Sequence, residues 1–209
     1  MMESVPVASV RLTDAQVMAL SVADAAEFTE IFERHFGPIF AYLARRVGFS
    51  AAEDLASQTF VIAFERRSTY LPHPSGVRPW LYGIATRLVS NHRRSEIREL
   101  RATARQRPVN AGPQDTDVEQ FLERAAAEST YQELASALAD LSDDLRNTLL
   151  LFAWADLNYK EISVALGISL GTVGSRISRA RQILSRRLNR VEDSAPVHLA
   201  ETPSKEEEQ

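Results

Sequence analysis

Thr172, Ser175, Arg176, Arg179, Gln182, Arg186 and Arg190 recur at three- and four-residue steps, so a helix would gather them on one side. Hydroxyl, amide and guanidinium groups in that arrangement do not make or break bonds. They donate hydrogen bonds and neutralise anions. Between positions 162 and 191 the chain has six arginines (176, 179, 181, 186, 187 and 190) and no acid, a local cationic surplus within a formal net charge of −4. A helix with donors in its first turn and arginines further along suits the major groove of duplex DNA. The first turn meets base edges and the later arginines meet phosphates.

A second polar stripe runs through Arg87, Asn91, Arg94, Arg98, Arg101 and Arg105. Alone it reads equally well as a solvated face relieved by Glu96 and Glu99 or as a surface for a polyanion.

Composition narrows the chemistry further. The chain has 209 residues and no cysteine, which excludes disulfides and thiolate metal sites. Its four histidines (35, 73, 92 and 198) stand far apart, and its acids fall mostly at helix starts, in a linker or in the tail. No catalytic carboxylate or metal cluster is indicated, and no cofactor is expected. No apolar run reaches the twenty or so residues that span a bilayer, and no leader-like segment opens the chain. Membrane insertion is not expected, and the expected location is the cytoplasm.

The elements that must position these residues are helical throughout. Asn158 and Glu161 form a capping box that opens a short helix with Ile162, Ala165 and Leu166 inward; Gly167 closes it, and Ser169 caps the next helix. In that second helix Val173, Ile177, Ala180, Leu184, Leu188 and Val191 form the buried stripe, completing a helix-turn-helix. Leu145, Leu149, Phe152 and Ala153 are expected to cover it from behind, with Trp154 closing the core, and Tyr131, Leu134, Ala135 and Leu138 lie inward on a preceding helix.

Upstream, residues 1–22 read as a loosely held arm in which 17–20 could form a helical turn. Asp24 with Glu27 suggests a capping box. Phe28, Ile31, Phe32, Phe36, Ile39, Phe40, Leu43 and Val47 follow helical spacing, with a bend or restart expected at Gly37-Pro38. Ser50 and Glu53 suggest another box, opening a helix that buries Ala52, Leu55, Ala56, Thr59, Phe60, Ala63 and Phe64. Two prolines and a glycine make 69–77 a loop. A long helix from Pro79 follows, with Trp80, Leu81, Ile84, Ala85, Leu88 and Val89 inward. The fold class is therefore all-α: two small helical domains, 23–106 and 121–191, joined by a flexible linker at 107–120 and followed by a disordered acidic tail at 192–209.

The run YKEISVALGISLGTVGSRISRARQIL resembles region 4 of bacterial sigma-70 superfamily sigma factors of the extracytoplasmic-function (ECF) type, and AEDLASQTFVIAFERRSTY with RPWLYGIATRLVSNHRR resembles region 2. The resemblance implies a non-enzymatic factor that binds RNA polymerase core through its β′ clamp and β flap and directs promoter recognition. It assigns the −35 element to Thr172, Ser175, Arg176, Arg179 and Arg186. It assigns the −10 element, with its melting, to Tyr70, His73, Arg87, Asn91, Arg94 and Arg98, and core contact to Asp54, Gln58 and Phe60. Tyr70 and His73 fall where the family's loop captures a flipped-out base, and cationic contacts beside stacking surfaces suit that role. An anti-sigma factor is a further partner that the family admits. Gly174 stands where the family carries Lys or Arg, and Arg87 and Asn91 stand where many relatives have Asn and Asp. Base preference does not carry over at those positions.

Even a tether of roughly 25 residues, longer than the 14 of 107–120, spans only about 25 to 30 Å, whereas promoter boxes two helical turns apart are separated by about 70 Å. A rigid scaffold must hold the two domains apart, and the C-terminal domain is expected to be mobile until docked. The alternative reading is a stand-alone helix-turn-helix regulator that acts without stable polymerase binding.

Overall fold

The computed structural model describes residues 12–104, 134 and 136–192, in which helices alternate with short turns and no strand occurs. Part of the expected N-terminal arm is ordered. Helix α1 (Asp14–Ala23) opens on a Thr13 capping box with Gln16 and buries Val17, Met18 and Ser21. The cap and the apolar pair outweigh the weak periodicity that suggested a loose arm.

Asp24 caps a 3-10 turn through the Ala26 N–H, and α2 (Phe28–Val47) follows. Pro38 lies inside α2 without ending it. Its missing N–H removes one helical bond, yet Ile31, Ile39, Tyr42 and Leu43 are buried on either side and hold the axis. Helix α3 (Phe49–Glu65) starts without a side-chain cap. Gly48, at φ 80°, turns the chain from one helix straight into the next, and its carbonyl already accepts from Ala52 N at 3.2 Å. No extended residue is left for a box at Ser50.

The aromatic residues of α2 and α3 interlock, with Phe28 against Phe64 and Phe32 against Phe60 at ring separations of 5.4 and 5.0 Å. Helix α4 (Arg78–Ala104) lies across them, burying Leu81, Tyr82, Ile84, Ala85 and Val89.

The second half comprises α5 (Asp143–Ala153), α6 (Tyr159–Leu166) and α7 (Leu170–Glu192). In α5 the buried residues are Thr148, Leu149, Leu150 and Leu151, while Ala153 is exposed. Leu145, Leu149, Phe152 and Trp154 pack as expected, but α5 is covered on a second side as well. Leu149 joins Leu141 and Ala180, whereas Leu150 and Leu151 join a core running unbroken from Val17 and Leu43 through Leu81 to Ile162 and Ile177. The helix-turn-helix is therefore packed on the first half. Contacts between α4 and α6 carry that interface. The expected linker (107–120) and all but the first residue of the tail (192–209) lie outside the described residues, as does Tyr131.

Candidate nucleic-acid interface

The turn that presents α7 is fixed at both ends. Asn158 N–H donates to Glu161 Oε2 at 2.8 Å, while Asn158 Oδ1 accepts from Lys160 and Glu161 N–H at 3.0 and 3.1 Å, completing the expected box. Gly167 takes the left-handed conformation at φ 65°, ψ 38°. Ser169 Oγ accepts from Thr172 N–H at 3.2 Å and caps α7. Ile162, Val173, Ile177 and Ala180 are buried beneath, so rotation of α7 about its axis is settled.

The outward face of α7 divides into committed and uncommitted groups. Thr172 Oγ1 lies 2.8 Å from Ser169 Oγ, and Ser175 Oγ donates to the Thr172 carbonyl. Arg176 Nη2 pairs with Asp144 Oδ2 on α5 at 2.5 Å. Arg179 and Arg186 are exposed and enter no ion pair among the described residues. Two other arginines of the run are used internally: Arg181 stacks over the Phe152 ring, and Arg187 pairs with Asp140. Gly174 has room for a side chain, since a Cβ there would make only ordinary contact with the Tyr159 ring at 3.8 Å.

On α4, Arg87, Asn91, Arg94 and Arg98 are exposed along one side, so the second stripe forms a continuous surface. Arg101 has no described side chain, and Arg105 is outside the described residues. Arg94 lies 3.7 Å from Asp143, an exposed pair of little energetic weight. Above the start of α4, the Tyr70 ring leans on Trp80 at 5.3 Å, and its hydroxyl is enclosed without a hydrogen-bond partner. Burial pushes the Tyr70 hydroxyl pKa upward. Trp80 is half-buried, part core and part platform for Tyr70. His73 shapes the loop through Nδ1, which accepts from Ser75 N–H at 3.1 Å.

The base of this loop rests on α1. Asp14 accepts from Arg34 Nη1 at 2.8 Å, lies 2.9 Å from His35 Nε2, and sits under Gly76. Burial alone would raise the Asp14 carboxyl pKa, but the hydrogen bond from Arg34 and then the charge and hydrogen bond of His35 outweigh it and hold the carboxyl below its ordinary range.

Of the three residues assigned to polymerase contact, Asp54 and Gln58 are exposed on α3, whereas Phe60 is 4% exposed. Its ring packs against Phe32 and Phe36 and reaches the surface only at the floor of a groove it lines with Phe28, Phe32 and Phe64. Several important residues gave no sequence signal. Arg146 donates to the Leu138, Ala139 and Leu141 carbonyls and ties the preceding helical end to α5. Asp144 looked like an ordinary first-turn acid, yet it holds Arg176.

Comparison with known proteins identifies the arrangement. Residues 31–99 match the family model "Sigma-70 region 2", and residues 131–184 match "Sigma-70, region 4". The RNA polymerase sigma factor CarQ of Myxococcus xanthus is 30% identical over 173 residues, covering 79% of this chain and 91% of that protein. The chain belongs to the sigma-70 superfamily of RNA polymerase sigma factors. The sigma factor YlaC of Bacillus subtilis is 29% identical, covering 77% of this chain and 91% of that protein. The ECF sigma factor SigC of Mycobacterium tuberculosis is also 29% identical, covering 70% of this chain and 75% of that protein. Among solved structures, CnrH in complex with the cytosolic domain of CnrY shares the fold, with a TM-score of 0.57 at 24% identity, covering 85% of this chain and 97% of that one. The sigma factor RpoE of Bartonella quintana, solved with the anti-sigma factor NepR, gives 0.54 at 22% identity, covering 78% of this chain and 97% of that one. Both regions of this sigma factor thus carry an exposed polar and basic helix face, one on α4 and one on α7.

Proposed function

We propose that this sigma factor binds RNA polymerase core and directs initiation by reading two separated promoter elements. The carrying observation is the outward face of α7. Its first turn is capped and exposed, its arginines have no acid among them between positions 162 and 191, and its buried stripe fixes which residues point out. In this reading Thr172, Ser175, Arg176 and Arg179 contact base edges of the −35 element, and Arg186 anchors a phosphate. Arg87, Asn91, Arg94 and Arg98, with Tyr70 and His73 above them, take the −10 element and its melted strand. Asp54 and Gln58 meet the polymerase clamp, the second half meets the flap, and an anti-sigma factor is a candidate regulator because two fold neighbours were solved in such complexes. The working units are 23–106 and 121–191, extended at the front by α1, and the site of action is the cytoplasm.

In this reading the chain contributes discrimination and no bond chemistry, as its membership of a family of initiation factors supports. Among the described residues no group of three or more histidines or acids could hold a metal, and no helix is long and apolar enough to cross a membrane. The test is transcription in vitro with purified core polymerase on genomic fragments. New start sites that depend on the chain, together with its retention on core, are expected. A chain that neither binds core nor changes where transcripts begin would refute the reading and favour a stand-alone regulator.

A further inference from the structure

The loop of residues 70–77 draws little order from itself. Leu71 is 83% exposed, and Pro72 and Pro74 bring no backbone donor. Its two roots are held instead by α1, which precedes the matched residues 31–99. At the first root, in the 3-10 turn Arg67–Thr69, Arg67 Nε donates to the Ser21 carbonyl at 2.8 Å. Arg67 Nη1 also donates to the Phe64 carbonyl at 2.7 Å, and its guanidinium lies 4.0 Å from the centre of the Phe64 ring, so the arginine is fixed between α1 and α3. At the second root Gly76 takes the left-handed conformation, at φ 70°, against Asp14. A Cβ there would come within 3.1 Å of Asp14 Oδ2.

Asp14 is in turn held from α2. Arg34 and His35 take one carboxylate oxygen each, and Arg34 Nη2 donates to the Leu12 carbonyl at 2.7 Å and pairs with Glu30. Val17 and Met18 of the same helix are buried, so α1 cannot roll. Asp14 and Ser21 stand seven residues apart, about 10 Å along the axis. Nine residue steps separate Arg67 from Gly76 and could reach about 30 Å if extended. Pinning both roots to one packed helix removes much of that freedom before any ligand arrives, which lowers the ordering cost of binding.

We propose that α1 is the seat of the loop that takes the melted strand, and that Asp14 is a positioning residue for the −10 element, acting through Gly76 without touching DNA. The inference rests on the −10 role proposed for Tyr70 and His73. A carboxylate is no ligand for a polyanion, and here the Arg34 guanidinium offsets its charge. What Asp14 supplies is a fixed surface on which the second root of the loop rests.

The test uses the full chain with core polymerase on a promoter that the wild-type chain activates. Asp14→Asn unseats the loop from below, and Gly76→Ala unseats it from its own side while leaving the pairings of α1 with α2 in place. Each should lower open-complex formation, read as permanganate reactivity of unpaired thymines, by at least about fivefold, with retention on core unchanged. Because both variants break one contact, the double variant should fall little further than the worse single one, whereas independent defects would multiply to about 25-fold or more. Unchanged open complexes in either variant overturn the proposal, and so do losses that multiply. Core retention lost in step with open complexes also overturns it, since the effect would then be general unfolding. Hydrogen exchange on the free chain covers the case in which Asp14→Asn folds poorly: Gly76→Ala should accelerate exchange in 70–77 and leave α2 unchanged, and a loop that exchanges as in wild type overturns the seat. A wild-type chain that forms no open complex with core would instead overturn the sigma-factor reading.

Discussion

The two helices proposed to face DNA are held in place by different means. The turn that presents α7 is set by short-range devices: the Asn158 box, the left-handed Gly167, the Ser169 cap and the stripe over Ile162. Helix α4 carries its basic face on a backbone positioned by distant parts of the chain, with α2 and α3 below, α6 beside Gly83, and the loop before it seated on Asp14. Local caps make a reading head that can travel as a unit. A face set by remote packing must stay where the rest of its domain stays. That division suits a protein in which one domain grips polymerase and the other swings to a second box.

The largest expected effect attacks the remote packing. Leu81→Ala removes a fully buried side chain where α4 meets the core and should cost about 2–5 kcal/mol in denaturant unfolding. A cost under about 1 kcal/mol would mean that α4 does not depend on that core. Next, Arg176→Ala should weaken binding to the −35 duplex by about 1–3 kcal/mol at one base position if the guanidinium reads an edge. Arg186→Ala should weaken all sequences alike and flatten the salt dependence. Titrations at several salt concentrations check both, and identical behaviour of the two variants would erase the distinction between reading and anchoring.

Asn158→Ala removes the box that opens α6 and should cost about 1 kcal/mol, with hydrogen exchange accelerated in α6 and unchanged in α2. Acceleration in both would show that the local device is not local. The smallest effect is a slope. A carboxyl held below its ordinary pKa stabilises the fold above that ordinary value, and the contribution disappears as pH falls through the depressed one. Asp14→Asn should therefore lower stability at neutral pH, and the gap from wild type should close below about pH 4. A gap that widens on acidification would contradict the sign.

The same contrast explains which parts could be read from the sequence. The Asn158 box, Gly167, Ser169 and the stripe through Val173 and Ile177 are short-range patterns, and the structure reproduces them. The interface between the halves was invisible because Arg46 and Asn147 are 101 positions apart and polar pairing leaves no periodic trace. Gly83 carries no sequence signal, because the backbone it meets lies 82 positions away at Ala165. Helix α1 was read as no more than a turn at 17–20, because ten residues are too few for a clear periodicity. Family resemblance transfers the position of Phe60 and says nothing of which way its ring faces, which only the packing against Phe32 and Phe36 shows.

The contact between Tyr70 and Trp80 makes the loop optically legible. The chain has two tryptophans, Trp80 in the first half and Trp154 at the end of α5. With Trp154→Phe, emission from the remaining indole watches the phenol against it. A nucleobase that displaces Tyr70 would alter the intensity and polarity of that signal, so strand capture could be timed in a stopped-flow instrument without attaching a dye.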